Sequence, residues 1–325
     1  MHKILEVPTG WVIEYPEFSD LADQQMHTFW PWDEPEVEND IQDVRVHMTE
    51  AEQHGLITVL KLFTLYEMFA GDDYWAGFVM DKFKRPEIQR MASLFSAVEF
   101  NSHAPFYNKI NELLYLDTEE FYSDAVQDPV MKDRMDFINK YVSNTEDIPL
   151  SLGAFSFIEG AVLYSSFAFI KHFQAQECGK DKIKNICRGI NLSVADENTH
   201  AVGSALLYRH LYNDLSKDEQ IRYDEQMISI AEAVQDHEFA IIDRIFEKGE
   251  IQGITAQQMK DFVKHRVQLC LSNLGVVVDT GEELDNFIAT WFYTNINSVQ
   301  FHDFFTGSGS EYHIDWDEQT FGEVW

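Results

Sequence analysis

Apolar residues recur at intervals of three and four along most of the chain, whereas strand-like alternation is scarce. This spacing is typical of α-helices with one buried face. Capping-box sequences that begin at Thr49, Ser216 and Thr255 mark three helix starts. The pattern predicts five long helices, over residues 50–70, 86–112, 151–175, 181–212 and 217–247, and further helices over residues 255–275 and 281–299. We therefore expect an all-α fold built as a helical bundle.

The chain divides into a helical body and two different ends. No repeat of fixed period and no low-complexity linker interrupts residues 46–305, which we interpret as one helical domain. Residues 1–45 combine three Trp with turn-forming residues and are expected to pack on the bundle as an extension. Residues 306–325 join a Gly/Ser hinge to an acidic and aromatic end, which predicts a flexible C-terminal tail.

The most apolar stretch, residues 151–170, contains a single carboxylate, Glu159, near its middle. The stretch is long enough to cross a bilayer, but Glu159, Ser165 and Ser166 favour a helix buried inside the protein, so we expect no membrane association. A carboxylate among apolar side chains loses its hydration unless a cation or hydrogen-bond donors compensate it. We therefore expect a partner for Glu159 within the bundle.

Four of the predicted helices place carboxylates on apolar faces, and two of these carboxylates have a His three or four residues away. Side chains at that spacing project from one side of a helix, so each Glu/His pair can bind one metal ion. Two such pairs with two further Glu form the ligand set of di-iron and di-manganese bundles, and these ligand types suit iron or manganese. The sequence predicts two metal ions per chain, Fe and/or Mn, bound by Glu67, Glu99, His103, Glu159, Glu197 and His200.

Each of these features has an ordinary explanation when it is taken alone. A Glu and a His at helical spacing occur by chance, and a lone Glu in an apolar run can pair with a buried Arg or sit on a solvated edge. The order Glu, Glu/His, Glu, Glu/His on successive long helices favours the dinuclear metal site.

The charge and the cysteine content of the chain exclude some classes of binding partner and some cellular locations. The formal net charge of −32 repels phosphate backbones and anionic lipid, so nucleic acid is not an expected partner. Three Cys without metal-type spacing form no disulfide framework, and the N-terminal residues lack the pattern of a secretory signal. These features predict a protein of the reducing cytoplasm.

At this point the sequence resembles the small, radical-generating subunit of class I ribonucleotide reductase, a member of the ferritin-like superfamily. The stretch "FWPWDEPEVENDIQDVRVHMTEAEQHGLI" is similar to the family's N-terminal segment, "VADENTH" to its Asp-Glu-x-x-His signature, and "DFFTGSGSEY" to the start of its tail. The resemblance implies a ferritin-like bundle whose oxidised dinuclear centre supplies a radical or metal-based oxidant. It also implies a homodimer whose tail docks on the catalytic large subunit, where ribonucleotide is reduced.

The resemblance also implies roles for individual residues. The six ligands named above match the family's ligand positions. A radical route outward would use Trp32, supported by Asp196, and then Tyr312 in the tail. Trp30 is an alternative to Trp32, which is preferred because its distance from the acidic segment and from Glu67 fits the family spacing.

Two ligand positions depart from the family pattern. Glu67 stands where the family usually has Asp, as in variants that use manganese or a mixed metal pair; Asp72 and Asp73 lie nearby but follow Gly71 at an apparent helix end. The second departure is the Glu-x-x-x-His spacing of the first ligand pair, in place of Glu-x-x-His. The extra residue suggests a π-bulge.

The extra residue also affects the radical position. Counting back from His103 assigns the radical-bearing tyrosine to Tyr107, whereas counting forward from Glu99 gives Phe106. We favour Tyr107 because the His-to-Tyr interval is kept. A core Tyr whose hydroxyl has an ordinary partner is the alternative to this role.

Two other functions fit a helical bundle with two metals. A ligand-binding dimetal oxidase or oxygenase would process a small substrate at its own metal site and would not need the tail. An iron-binding or storage protein of this fold usually has a much shorter chain. The acidic and aromatic tail with Tyr312 favours the reductase subunit.

Overall fold

The computed structural model describes residues 2–142, 146–278, 281 and 283–293, and the regular secondary structure of these residues is entirely helical. This confirms the all-α prediction. The α-helices are α1 (Pro16–Thr28), α2 (Glu50–Met68), α3 (Met80–Lys82), α4 (Pro86–Val98), α5 (Ala104–Leu114), α6 (Glu119–Gln127), α7 (Pro129–Val142), α8 (Ile148–Phe157), α9 (Tyr164–Lys171), α10 (Lys184–Asn213), α11 (Lys217–Ile245), α12 (Ala256–Leu274) and α13 (Phe287–Phe292).

π-Helical segments connect three pairs of these helices. Phe69–Val79 joins α2 to α3, Glu99–His103 joins α4 to α5, and Ile158–Val162 leads from α8 towards α9. The predicted helix over 86–112 is therefore one helix that changes winding in the middle, whereas the predicted helix over 151–175 changes winding and is interrupted by a turn at Leu163. The π-bulge suggested by the extra residue between Glu99 and His103 is confirmed.

The predicted end of the first ligand helix near Gly71 is wrong, because the chain continues as a π-helix through this residue. A Cβ atom at Gly71 would lie 2.9 Å from the Phe100 ring and 3.0 Å from Cβ of Glu99. Gly71 thus permits two helices to approach closely and does not stop a helix. Helices α6 and α7 were not predicted, since their sequences are rich in charged residues.

Helix α10 is capped by residues from the N-terminal part of the chain. Its N-cap residue, Ile183, has a left-handed backbone with a φ of 48° and makes no side-chain cap of its own. Instead, Asp40 accepts a hydrogen bond from the backbone N–H of Ile186 at 2.7 Å, and Asp43 accepts one from Ile183 at 2.9 Å. These carboxylates satisfy free N–H groups at the positive end of the helix.

Helices α8 and α9 form the centre of the bundle. Every residue from 151 to 173 is buried, and α10 and α12 pack against both helices. The stretch Ile148–Gln174 is apolar enough to span a membrane, but it lies wholly inside the protein. The expectation of a buried helix is confirmed. Helix α2 packs against α5 and α11, and α1 covers α4.

All three predicted capping boxes, at Thr49, Ser216 and Thr255, are formed. The predicted helix over 281–299 is described only as α13, and the predicted tail over 306–325 lies outside the described residues.

Candidate metal centre

Six buried side chains from four helical segments converge at the centre of the bundle. Their potential ligand atoms form two groups, and within each group the atoms lie within 4.8 Å of one another. The first group is Glu67, Glu99, His103 and Glu197, and the second is Glu99, Glu159, Glu197 and His200. All six side chains have 0% exposure. The groups share two glutamates, as a dinuclear centre with bridging carboxylates requires.

The two shared glutamates each direct one oxygen towards each histidine. Glu99 places Oε2 at 2.8 Å from Nδ1 of His103 and Oε1 at 2.8 Å from Nδ1 of His200. Glu197 places Oε1 at 3.3 Å from Nδ1 of His103 and Oε2 at 3.6 Å from Nδ1 of His200. Glu67 Oε2 is 3.7 Å from Nδ1 of His103. The Nδ1 atoms of both rings therefore face the carboxylates.

The opposite nitrogen of each ring is held by a residue outside the cluster. Nε2 of His103 donates to Asp196 Oδ2 at 3.0 Å, and Nε2 of His200 donates to Gln25 Oε1 at 3.1 Å. The amide of Gln25 in turn donates to Asp196 Oδ1 at 2.8 Å. Outer partners of this kind fix the tautomer and orientation of metal-binding histidines.

Burial and the charges of neighbouring groups shift the pKa values of the four glutamates in opposite directions, upward for Glu67 and Glu159 and downward for Glu99 and Glu197. Burial raises the pKa values of Glu67 and Glu159 well above the usual range, and neighbouring carboxylates add to the effect. Burial also opposes ionisation of Glu99, but His103 and His200 outweigh it and lower the pKa of this carboxyl. The pKa of Glu197 is likewise lowered against burial, because the two nearby histidines favour its ionised form.

The carboxylates around the two histidines favour the protonated form of each ring. Burial lowers the pKa values of both rings, but the surrounding carboxylates raise that of His103 well above its usual range and that of His200 to about 9. The four carboxylates carry four negative charges when they are all ionised, and two divalent cations carry the four positive charges that balance them. Metal ions commonly exchange with ligand protons.

The ligand atoms of the cluster approach one another closely but without hydrogen-bond geometry. Within the described residues, no hydrogen bond is assigned to either oxygen of Glu67, Glu99 and Glu197, to Oε2 of Glu159 or to Nδ1 of the two histidines. Buried polar atoms without partners are rare in native proteins and indicate an ion or water. A set of carboxylate and imidazole donors suits iron or manganese. Asp72 and Asp73 are exposed and belong to neither ligand group.

The preference for Trp32 beside Asp196 is corrected by the structure, which places Trp30 there. The indole N–H of Trp30 donates to Asp196 Oδ2 at 2.8 Å, and its ring centroid lies 5.8 Å from that of His103. Trp30 is buried, whereas Trp32 is 38% exposed. The two residues lie in a non-helical segment after α1, where counting along the chain does not determine which side chain turns inward.

Tyr107 and Phe106 are both buried but face different neighbours. The hydroxyl of Tyr107 donates to Ser193 Oγ at 3.0 Å, and its ring stacks on Phe63 with centroids 4.4 Å apart. Burial raises the pKa of Tyr107 well above its usual value, and the nearby Glu67 carboxylate adds to this. Phe106 instead packs edge-on against Trp30, at 5.6 Å between centroids.

Sequence reasoning missed three residues around the cluster, including Gln25, described above. Trp75 donates its indole N–H to Glu159 Oε1 at 3.0 Å, which fixes one oxygen of that carboxylate. The hydroxyl of Tyr66 is buried, has no hydrogen-bond partner among the described residues, and has a pKa raised by burial and by Glu159 and Glu197. The order of residues carries no signal that would have identified them.

The fold and the paired Glu/His groups define the class of helical-bundle carboxylate proteins with a dinuclear metal site. The family description "Ribonucleotide reductase, small chain" matches residues 11–277. The chain belongs to this family, and it is the small subunit of an oxidoreductase that works with a large subunit. The suspected resemblance is thereby confirmed.

Individual relatives agree with this assignment. The chain is 25% identical to "Probable ribonucleoside-diphosphate reductase small subunit 048L" of Invertebrate iridescent virus 3, over 92% of this chain and 82% of the viral protein. It is 23% identical to the ribonucleoside-diphosphate reductase small chain of Acanthamoeba polyphaga mimivirus, over 81% of this chain and 61% of that protein. The structure of dimanganese(II)-NrdF from Streptococcus sanguinis superposes with a TM-score of 0.74 and 18% identity, covering 88% and 99% of the two chains, and shows the same fold.

Proposed function

We propose that this small subunit binds two divalent metal ions, Fe and/or Mn, through Glu67, Glu99, His103, Glu159, Glu197 and His200. Glu67 and His103 would hold one ion, Glu159 and His200 the other, and Glu99 and Glu197, which belong to both ligand groups, would be available to either ion. When bound and oxidised, the metal pair supplies an oxidising equivalent for ribonucleotide reduction on the large subunit. The convergence of six buried side chains whose oxygen and nitrogen atoms face one another without hydrogen-bond geometry supports this proposal.

In this proposal, Trp30 and Asp196 form the first part of the route outward. Asp196 Oδ2 accepts hydrogen bonds from both the Trp30 indole and His103, so a chain of three side chains joins the cluster to the N-terminal segment. The carboxylate fixes the positions of both rings and stabilises positive charge on either of them. Trp32 therefore has no proposed role, and Tyr312 in the tail remains the proposed next step.

Tyr107 is the proposed site of the stored radical. Its hydroxyl is neutral because burial and the Glu67 carboxylate raise its pKa, and Ser193 holds the hydroxyl in place. Oxidation of a neutral phenol requires loss of its proton together with the electron; Ser193 could relay that proton but not keep it, so an ionised carboxylate of the cluster would have to accept it. Phe106 packs on Trp30 instead, which supports Tyr107 over the alternative count.

The proposal extends to assembly and location. We infer that the chain acts in the cytoplasm as a homodimer and that residues 306–325 bind the large subunit as a flexible tail. Residues 1–45 would form an extension that packs on a ferritin-like domain of residues 46–305. The family match over residues 11–277 supports the reductase subunit over the alternatives of a dimetal oxidase and an iron-storage protein.

The substitution Glu159→Ala tests the metal site. We expect the variant to lose metal at one or both positions after reconstitution with Fe or Mn, while its helical circular dichroism is kept. The matched control is Glu87→Ala, which removes another fully buried glutamate whose Oε1 accepts backbone hydrogen bonds from Glu14 and Tyr15. Unchanged metal content in Glu159→Ala would refute the assignment.

A further inference from the structure

The backbone around Glu159 is held by two buried arginines. The π-helical winding of Ile158–Val162 changes the backbone hydrogen bonding of a normal α-helix and leaves carbonyl groups for other donors. The Gly160 carbonyl accepts from Nε of Arg266 at 2.8 Å, and the Val162 carbonyl accepts from Nη2 of Arg134. Both arginines are 2% exposed.

Arg266 reaches further than Arg134, because its guanidinium also contacts the turn that carries Glu197. Its Nη2 donates to Asn198 Oδ1 at 3.1 Å, and Asn198 directly follows Glu197 on α10. Its Nη1 donates to the hydroxyl of Tyr293, the last described residue, at 2.7 Å. One planar group therefore joins the backbone beside Glu159, the helix turn of Glu197 and Tyr293, the residue that follows α13.

The surroundings of Arg266 are unusual for a buried cation. Arg134 pairs with Glu238 at 2.7 Å, but among the described residues Arg266 forms no ion pair with a carboxylate. Its guanidinium instead stacks on the ring of Tyr164 at 3.6 Å from the centroid, and that tyrosine donates to the same Asn198 oxygen at 2.6 Å. Burying a charge without a counter-ion is unfavourable, so the neutral hydrogen-bond acceptors and the aromatic ring must compensate the lost hydration.

The contacts of Arg266 exploit the shape of its side chain. A guanidinium offers five N–H groups in one plane, so three acceptors in different directions can be satisfied while the flat face covers an aromatic ring. A Lys ammonium has a single centre of charge and cannot make this set of contacts. The surroundings of Arg266 are therefore specific for Arg and not merely for a positive charge.

We propose that Arg266 is a positioning residue for the metal centre, which fixes the Glu159 segment and the Glu197 turn relative to each other. The inference rests on the proposed metal site, since both glutamates belong to the group that contains His200. Gly160 supports it independently, because a Cβ at this position would lie 2.5 Å from Cys270 Sγ on α12, the helix that carries Arg266. Helix α12 thus approaches the segment closely enough to determine its path.

The substitution Arg266→Lys tests this role by titration of the apoprotein with Mn²⁺, with free ion measured by electron paramagnetic resonance. We expect the wild-type chain to bind two ions. In Arg266→Lys we expect one of the two to bind about 10–100-fold more weakly, the usual effect of removing an outer partner of a metal ligand. The spectrum of the bound ions should change as well, because the Glu159 segment and the Glu197 turn would no longer be fixed relative to each other.

The matched control is Arg85→Lys. Arg85 is also buried, donates to a backbone carbonyl, that of Lys3, and stacks on a tyrosine, Tyr15. Arg85 lies away from the cluster, so the same replacement of a guanidinium by an ammonium group should leave both Mn²⁺ sites unchanged. Wild-type affinity and spectrum in Arg266→Lys would overturn the inference, as would an equal loss in Arg85→Lys.

A second variant keeps the test decisive if circular dichroism shows that Arg266→Lys does not fold. Asn198→Ala removes the acceptor that joins Arg266 to the Glu197 turn, and we expect a smaller loss of affinity at the same site. Unchanged Mn²⁺ binding in Asn198→Ala would then overturn the inference. Failure of the wild-type chain to bind two ions would instead refute the proposed metal site itself.

Discussion

At the scale of single residues, Trp30 is the side chain that links the N-terminal segment to the proposed metal site, through the hydrogen bonds of Asp196 to Trp30 and His103. We predict that Trp30→Phe retains bound metal but lowers reductase activity with the large subunit by about tenfold or more, since the indole hydrogen bond to Asp196 is lost. Trp32→Phe is the control, because Trp32 is partly exposed and makes no hydrogen bond to Asp196. Equal activity of the two variants would contradict this assignment.

Gly160 provides a second prediction for a single residue. In Gly160→Ala the added Cβ would lie 2.5 Å from Cys270 Sγ and 3.3 Å from Cβ of Ala201, so we expect destabilisation of about 1–3 kcal/mol in urea unfolding. Combining it with Cys270→Ala should recover most of this loss. Gly10→Ala, at a position with no atom within 4 Å, should change nothing. Failure of the double variant to recover stability would contradict the assigned contact.

The sequence predicted the six candidate ligands better than it predicted their surroundings. A Glu and a His three or four residues apart project from one side of a helix, and all six candidate ligands lie together in the structure. Trp30, Trp75 and Gln25 reach the cluster from outside the ligand helices or beyond their predicted ends. Their positions depend on how segments distant in sequence pack, and no local periodicity encodes that.

At the scale of helical elements, the ligand helices combine ordinary α-winding with wider π turns. Glu99 and His103 are four residues apart within one π segment, whereas Glu197 and His200 are three apart on regular α-helix, yet all four side chains meet. The altered Glu-to-His spacing revealed the first π segment from the sequence. Ile158–Val162 carries a single ligand, so no spacing within it could reveal its winding.

Glu238 makes the packing of α7, α9 and α11 dependent on pH. Burial raises its pKa to about 7, against the opposing influence of Arg134 and a hydrogen bond from Ser165. Because the usual value is 4.5, the folded state holds this proton more tightly than the unfolded chain does. The contribution of this proton to stability is therefore fully present below a pH of 4.5, declines as the pH rises, and is lost once the pH has passed about 7.

We predict a measurable consequence for the free energy of unfolding. Relative to Glu238→Gln, which does not titrate, the wild-type protein should lose about 2 kcal/mol between pH values of about 5 and about 8. Urea unfolding at both pH values gives the difference, and Glu177→Gln provides a control at an exposed carboxylate. A difference that stays constant or grows with pH would contradict the raised pKa.

At the scale of the whole molecule, the proposed division of labour separates metal binding from docking. We predict that deleting residues 306–325 leaves metal content unchanged and abolishes activity with the large subunit, because Trp316, Phe321 and Trp325 are the proposed aromatic anchors for docking. Turnover by the shortened chain together with the large subunit would contradict the docking role. Metal loss on truncation would show that the tail also supports the core.

The central claim is that six buried side chains form one centre for two metal ions. Anomalous diffraction from crystals of the Mn²⁺-loaded protein measures this directly. We predict two peaks in the bundle core, one beside Glu67 and His103 and one beside Glu159 and His200, with Glu99 and Glu197 between them. A map without peaks there, or with a single ion held by other residues, would contradict the account.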